Sequence, residues 1–141
     1  MVDDLFNLKG RVSIELNGQI VQEIDNLVVT AGKVFVASRM KDATATAMSH
    51  MAVGTNTGSA AVGNTALGAE SARVALTSTT PSSATVVYVA TFPAGTGTAA
   101  LTEAGILNAN SSGTMLCRTV FTAINKGSAD AMTVTWTITV S

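Results

Sequence analysis

The chain has 141 residues, eight Lys or Arg against nine Asp or Glu, a net charge of −1, and only 12 % charged side chains where soluble domains carry about 25 %. One domain of this size buries roughly two thirds of the surface its unfolded chain exposes, so folding requires neither a disulfide nor a metal. Composition excludes several classes. The cations Lys9, Arg11, Lys33, Arg39, Lys41, Arg73, Arg118 and Lys126 are scattered and form no basic stripe for nucleic acid. No stretch approaches the ~20 apolar residues that span a bilayer. The single Cys117 cannot make an internal disulfide, which points to synthesis in a reducing cytosol. Asp3 and Asp4 stand where a secretory signal would be basic, so the expectation is a soluble protein not exported by a signal of its own. A surface so poor in charge is expected to be partly covered by other protein.

Residues 1–9 have no period and read as an N-terminal arm that docks on a neighbour in an assembly, and residues 10–141 read as a single domain. Residues 11–24 form a predicted hairpin around Asn17-Gly18. A three-residue loop, Leu16-Asn17-Gly18, with Gly18 in a bulge sets Ile14 opposite Ile20 and Arg11 opposite Glu23. Val12, Ile14, Ile20 and Ile24 then share a face, whereas a two-residue loop mixes apolar with charged side chains, so the longer loop is preferred. An extended run at 26–30 leads into the best helix candidate, 31–40, with Thr30 as N-cap. Gly32 weakens that helix by about 1 kcal/mol relative to Ala, so packing must hold it. Its expected sheet-facing residues are Ala31, Val34, Phe35 and Ala37, with Lys33, Arg39 and Lys41 outward.

A polar connection at 42–49 precedes a short strand at 50–54, a Gly/Ser/Thr loop at 55–63 with no apolar anchor, and one helical turn at 65–70. Strands are predicted at 72–79 and 85–92, joined by a turn at Pro81-Ser82-Ser83 and paired antiparallel. A second Gly/Thr loop at 93–99 leads to a strand at 102–108, a turn at 110–113, a strand at 114–122 and a turn at Asn125-Lys126-Gly127. The last stretch is the most regular. Met132, Val134, Trp136, Ile138 and Val140 alternate with Thr133, Thr135, Thr137 and Thr139, the signature of a strand with one apolar and one hydroxyl face, placed centrally in an antiparallel sheet. Seven or so short strands separated by turn signals predict an all-β fold, an antiparallel β-sandwich (jelly-roll or Ig-like) with one short helix.

Chemistry is sparse. The lone His50 has no pattern around it that would activate a serine, and it reads as a strand-end side chain with a hydrogen-bond partner, the alternative being an interface or pH-sensing role. One His and one Cys cannot supply the ligands of a zinc site, and no carboxylate cage for calcium is visible, so neither metal nor other cofactor is expected. The Gly-rich stretches at 54–58 and 95–98 lack the following Gly-Lys-Ser/Thr step of a phosphate cradle, and read as connections that alternatively touch a neighbouring subunit. Cys117 reads as a buried small hydrophobe, on the opposite side of its strand from Arg118. Glu70 and Arg73 are spaced to pair across a turn, and Glu103 either solvates the surface or, if buried, requires a charged partner. No catalytic residue is assigned and no enzyme activity is expected.

Several segments carry a resemblance: Met51-Ala-Val-Gly-Thr, Thr65-Ala-Leu-Gly-Ala-Glu-Ser-Ala-Arg73, Ala90-Thr-Phe-Pro, Leu101-Thr-Glu-Ala-Gly-Ile-Leu-Asn108 and Thr114-Met-Leu-Cys-Arg-Thr-Val-Phe121, with the opening Asn26-Leu-Val-Val-Thr-Ala-Gly32 and the closing strand to Ser141. In this order they resemble small virion structural proteins of tailed bacteriophages, over most of the chain. The middle is also similar to the attachment domain of phage tail-collar fibre proteins, whose receptor-binding continuation is not expected here because the sequence ends at Ser141. The resemblance implies a β-sandwich present in many copies on a particle and acting through its surfaces. The function it implies is a capsid decoration or cement protein, a homo-oligomer such as a trimer, made in the host cytoplasm, that contacts the major capsid protein or other virion proteins and neither nucleic acid nor membrane. The expected contacts are Met1, Val2, Asp3, Asp4, Leu5 and Phe6 of the arm, with Thr55, Asn56, Thr57, Thr96 and Thr98 of the loops. One alternative is a tail or collar fibre-attachment adaptor. Another is a host-surface carbohydrate-binding module, which would need exposed aromatics where Trp136 and Tyr88 look committed to strands.

Overall fold

The computed structural model describes residues 7–41 and 45–141; the arm residues Met1, Val2, Asp3, Asp4, Leu5 and Phe6 lie outside the described residues. In chain order the elements are β1 (Leu8–Leu16), β2 (Gln19–Asp25), β3 (Leu27–Val28), α1 (Thr30–Arg39), β4 (His50–Gly54), β5 (Glu70–Ala75), β6 (Ser78–Ser82), β7 (Thr85–Phe92), β8 (Ala99–Leu107), β9 (Met115–Lys126) and β10 (Met132–Val140). They form two five-stranded sheets, β2-β1-β10-β7-β6 and β3-β9-β8-β4-β5, in which every pairing is antiparallel. The fold is an all-β sandwich with one short helix. Pro81, which cannot donate to a ladder, sits in β6, an edge strand, where its missing N–H costs least.

β10 is the middle strand of the first sheet, as its alternation predicts. Met132, Val134, Trp136 and Ile138 face the second sheet and are buried, with Val12 and Tyr88 flanking Trp136 on β1 and β7. From the other side, Met51, Val53, Ala104, Ile106, Cys117 and Phe121 complete the core. A smaller apolar cluster lies outside the second sheet, where Ala52, Leu107 and Met115 meet Val29 and Leu67. Outward hydroxyls and inward apolar side chains therefore follow from period-two geometry, and burial of the apolar set against a second sheet is what holds the strands flat.

Several local expectations are corrected. The first hairpin has the two-residue loop: Asn17 and Gly18 take φ of 51° and 83°, the positive pair of a type I′ turn, and Leu16 faces Gln19. The bulge is in β2, where Val21 is the extra residue between the Glu15–Ile20 and Ile14–Gln22 pairs. It restores Val12 opposite Ile24, so the faces stay unmixed by a bulge in the strand and not by a longer loop. Ile20, expected in the core, is 59 % exposed. Residues 72–79 are two strands, because the chain crosses from one sheet to the other at Leu76 and Thr77. Residues 65–69 make no helical turn, and the described residues form ten strands. Leu8 and Lys9, expected in the arm, belong to β1, and Asn7 exchanges both backbone hydrogen bonds with Ser141 at 2.8 and 2.9 Å.

The helix departs from expectation most. Thr30 is its first residue and caps nothing; Val29 is the N-cap, without a side-chain bond. The Thr30 N–H instead donates to the Val62 carbonyl at 2.8 Å, so a loop supplies what a capping side chain would. Val34 and Ala37 are exposed, whereas Gly32 is the buried helix residue and Phe35 and Val36 pack on the core. A Cβ at position 32 would stand 2.1 Å from the Leu116 carbonyl oxygen. The glycine that weakens the helix is what lets it lie on β9. Replacing Gly32 with Ala should therefore destabilise by about 1–3 kcal/mol in denaturant unfolding, through overpacking, although helix propensity alone predicts a gain of about 1 kcal/mol. A gain would show that α1 can lift off β9 freely.

Candidate interaction surface

Among the described residues, one ion pair is fully buried, and it lies on the outward face of the second sheet. Glu103 on β8 and Arg118 on β9 are diagonal neighbours across the ladder, Glu103 facing Val120 and Arg118 facing Gly105. Their side chains are 0 % and 4 % exposed. A carboxylate removed from water needs every lone pair occupied. Glu103 Oε1 accepts from the Gly68 N–H at 2.8 Å and from Arg118 Nε at 3.1 Å, and Oε2 accepts from the N–H groups of Asn56 at 3.0 Å and Ala69 at 2.7 Å. Arg118 spends its remaining N–H groups on the carbonyls of Ser59 and Gly58 and on the side-chain oxygens of Asn64 and Asn56, at 3.1 to 3.4 Å.

All the neutral partners belong to residues 55–69, an Ω-loop whose ends are joined by the Thr55 N–H donating to the Ala69 carbonyl at 3.0 Å. Space for it comes from Gly54, where a Cβ would meet the Ala69 carbonyl at 2.3 Å and Glu103 Oε2 at 2.6 Å. Leu67 anchors the loop in the outer apolar cluster. Burial pushes the Glu103 carboxyl upward, but three backbone N–H groups and Arg118 outweigh it and hold the group below its ordinary range. With its oxygens saturated and inaccessible, this carboxylate cannot act as a base; it fastens a loop.

Of the expected loop contacts, Thr55, Thr57 and Thr98 are exposed, while Asn56 and Thr96 are half-buried. Asn56 is a fastener. Its N–H and carbonyl bind Glu103 and Thr102, and its Oδ1 receives the Gly58 N–H and Arg118. The two loops lie at the same end of the sandwich, because β4 leaves the second sheet where β8 enters it. Gly97 of the second loop packs on the strands that flank the first, its Cβ position 3.4 Å from Val53 in β4 and 3.5 Å from Ala72 in β5. That end also holds the Asn17-Gly18 turn and residues 127–131, cross-braced by Asn17 Nδ2 to Asp130 at 2.9 Å and by the Ala131 N–H to Asn17 Oδ1 at 3.0 Å. Lys126 is buried there and donates to the Pro93 carbonyl at 2.9 Å. Residue 7 lies at the other end, about 30 Å away along the nine residues of β1. Asn7 and the Gly/Thr loops thus lie at opposite ends.

The outer face of β10, β7 and β6 carries no charge. Thr133, Thr135, Thr137 and Thr139 align with Thr91, Val89, Val87 and Thr85, and Ser78, Thr80 and Ser82 continue the surface to the edge. Sequence reasoning missed this face as a unit, although the Thr alternation of β10 and the Ser/Thr content of 78–85 foretold both halves. Arg73 grips Glu70 through Nε at 2.9 Å and Nη2 at 2.7 Å, as spaced, and its Nη1 also holds the carbonyls of Ala109 and Ser112. His50 opens β4, half-buried, with Nδ1 2.8 Å from Ser49 Oγ. Trp136 is fully buried and Tyr88 half-buried on the inward face, so neither offers an open ring for a sugar. Among the described residues, no three His, Cys, Asp or Glu side chains are placed to hold a metal, and no helix is long and apolar enough to cross a membrane.

Two expectations follow. Changing Glu103 to Gln should lower stability by about 3–5 kcal/mol, because Arg118 is left buried without its counter-charge, and should speed proteolysis within 55–69. Since the folded carboxyl is held below its ordinary 4.5, its contribution is present above pH 4.5 and is lost as pH falls through the folded value. Acid unfolding of the Gln variant should accordingly be shallower than that of the parent; parallel curves would contradict the assignment. Cys117 is fully buried and its thiol is pushed well above 9.0 by burial, so a thiol reagent should label it only as Trp136 fluorescence reports unfolding.

Compared with known proteins, the chain matches no protein-family model, no curated protein and no solved structure.

Proposed function

We propose that the chain is a structural protein of a tailed-bacteriophage virion, and specifically a capsid decoration or cement protein. The observation that supports this most is how a charge-poor chain spends its charges. Glu103, Arg118 and Lys126 are buried inside, which leaves a face of Ser, Thr and Val and an end of braced Gly/Thr loops for contact with other protein. Asn7 and the Gly/Thr loops lie at opposite ends, which suits a subunit gripped on two sides, with residues 1–6 proposed as the second grip. A specific contact buries roughly 1,200 to 2,000 Å² in total, and repetition around a symmetric shell multiplies it. The work is mechanical, resisting outward pressure through many modest interfaces. A tail or collar adaptor is the second reading, in the same structural class at lower copy number.

Quantitative mass spectrometry of purified particles discriminates them. A ratio to the major capsid protein near one, or a simple fraction such as one third, is the cement outcome, and a ratio of a few per cent moves the chain to the tail or neck. Because Leu8 and Lys9 belong to β1 and Asn7 is hydrogen-bonded to Ser141, the informative deletion is 1–6 and not 1–9. That truncation should keep the parent unfolding midpoint and lose incorporation into particles; normal incorporation removes the arm from the mechanism.

A further inference from the structure

Asn17 is the one asparagine in the sequence followed by glycine. At such a pair the backbone nitrogen of the glycine can attack the side-chain amide, because no Cβ on the following residue crowds the approach. The Gly18 nitrogen gives its proton to base and bonds to Asn17 Cγ; the side-chain nitrogen leaves as ammonia, and a succinimide ring closes. Water then opens the ring. Breaking the new Cγ–N bond leaves an aspartate, and breaking the original backbone C–N bond leaves an isoaspartate whose chain runs through Cβ and Cγ. Overall one water is consumed and one ammonia released. Both residues are exposed and nothing lies within 4 Å of a Cβ built on Gly18, so base and water reach the turn. The folded hairpin opposes the first step in two ways. Its type I′ turn, with φ of 51° and 83°, sets ψ of Asn17 to about +30°, where the Gly18 nitrogen stands almost opposite Cβ, whereas ring closure needs the two nearly eclipsed. Asn17 is also tied down. Its Nδ2 donates to Asp130 Oδ1 at 2.9 Å, its Oδ1 accepts from the Ala131 N–H at 3.0 Å, and its backbone N–H donates to the Ala131 carbonyl at 2.9 Å.

We propose that Asn17-Gly18 is a site of spontaneous deamidation that the folded hairpin holds inactive, and that conversion follows opening of this turn and then prevents it from re-forming. The rate in the native protein is the rate in the open chain multiplied by the fraction of time the turn is open. The bonds to residues 130 and 131 set that fraction, so the brace between the two connections is also a shield. Neither product rebuilds it. Aspartate at 17 keeps an acceptor for the Ala131 N–H but loses the donor to Asp130, and it sets a second carboxylate against that of Asp130. Isoaspartate adds a backbone atom to a two-residue loop whose length fixes Leu16 opposite Gln19. Each product also adds one negative charge to the chain.

Incubating the protein in mildly alkaline buffer, both folded and in guanidinium chloride, and following residue 17 by peptide mapping with mass spectrometry tests the gate. Conversion in the folded chain should be at least about tenfold slower than in the unfolded chain. Equal rates overturn the shield, and no conversion in either state overturns the site. Asp130→Ala removes the acceptor of Asn17 Nδ2, and it should speed conversion several-fold under conditions in which circular dichroism shows the variant folded. An unchanged rate there removes the brace from the mechanism and overturns the proposal. The consequence is tested separately. Asn17→Asp, the direct product, should unfold at lower denaturant concentration than the parent. Adding Asp130→Asn to the same chain should recover most of that loss, because the pair again holds one donor and one acceptor; failure to recover counts against the proposal.

Discussion

The structure depends on the need to neutralise Glu103. Its carboxylate sits without water on the outer face of a sheet strand, and the cost of that position is several kcal/mol unless donors converge on it. Arg118 supplies one set and the backbone of residues 55–69 supplies the other, so a sequence with almost no apolar content in its first half becomes an ordered loop. The loop in turn donates the Val62 carbonyl to the first turn of α1 and places Leu67 over the outer cluster. One buried charge therefore orders a loop, a helix start and the cover of the second sheet. Hydrophobic burial holds the sheets together, but this pair decides how the second sheet is covered.

The same economy explains the surface. With few charges in the whole chain, each one placed internally leaves the outside more neutral, and Arg118, Lys126, Glu103 and most of Arg73 are internal. Asn17 with Asp130, and Arg73 with the carbonyls of Ala109 and Ser112, fix connections that Gly and Ser would otherwise leave free. Fixing loops before contact removes an ordering cost that a partner would otherwise meet, and this favours a module that works by touching.

How much of this was legible depended on the range of the signal. The strands of β4, β7 and β10 were readable because period two is local and the inward set is apolar. The β2 register was not, since nothing within the hairpin marks Val21 as a bulge; the partner strand and the core decide it. Gly32 was read for its intrinsic propensity when its role is set by Leu116, some eighty positions away in sequence. For Glu103 the sequence posed the right alternative, buried with a partner or solvated, but the partner lies on the next strand and the donors are backbone amides, which have no residue signature. Asn56 was missed as a structural residue for the same reason: its own hydrogen bonds tie the loop to β8 and β9.

The arrangement of ends gives the molecule a direction. β1 and β10 run the full height of the first sheet, so residue 7 at one end and the Asn17 turn at the other are separated by the whole strand length. On the proposed reading of the chain as a repeated structural part, the two ends would offer different surfaces to the neighbours on either side. On the same reading, the low charge of the chain would belong to surfaces that neighbouring protein covers.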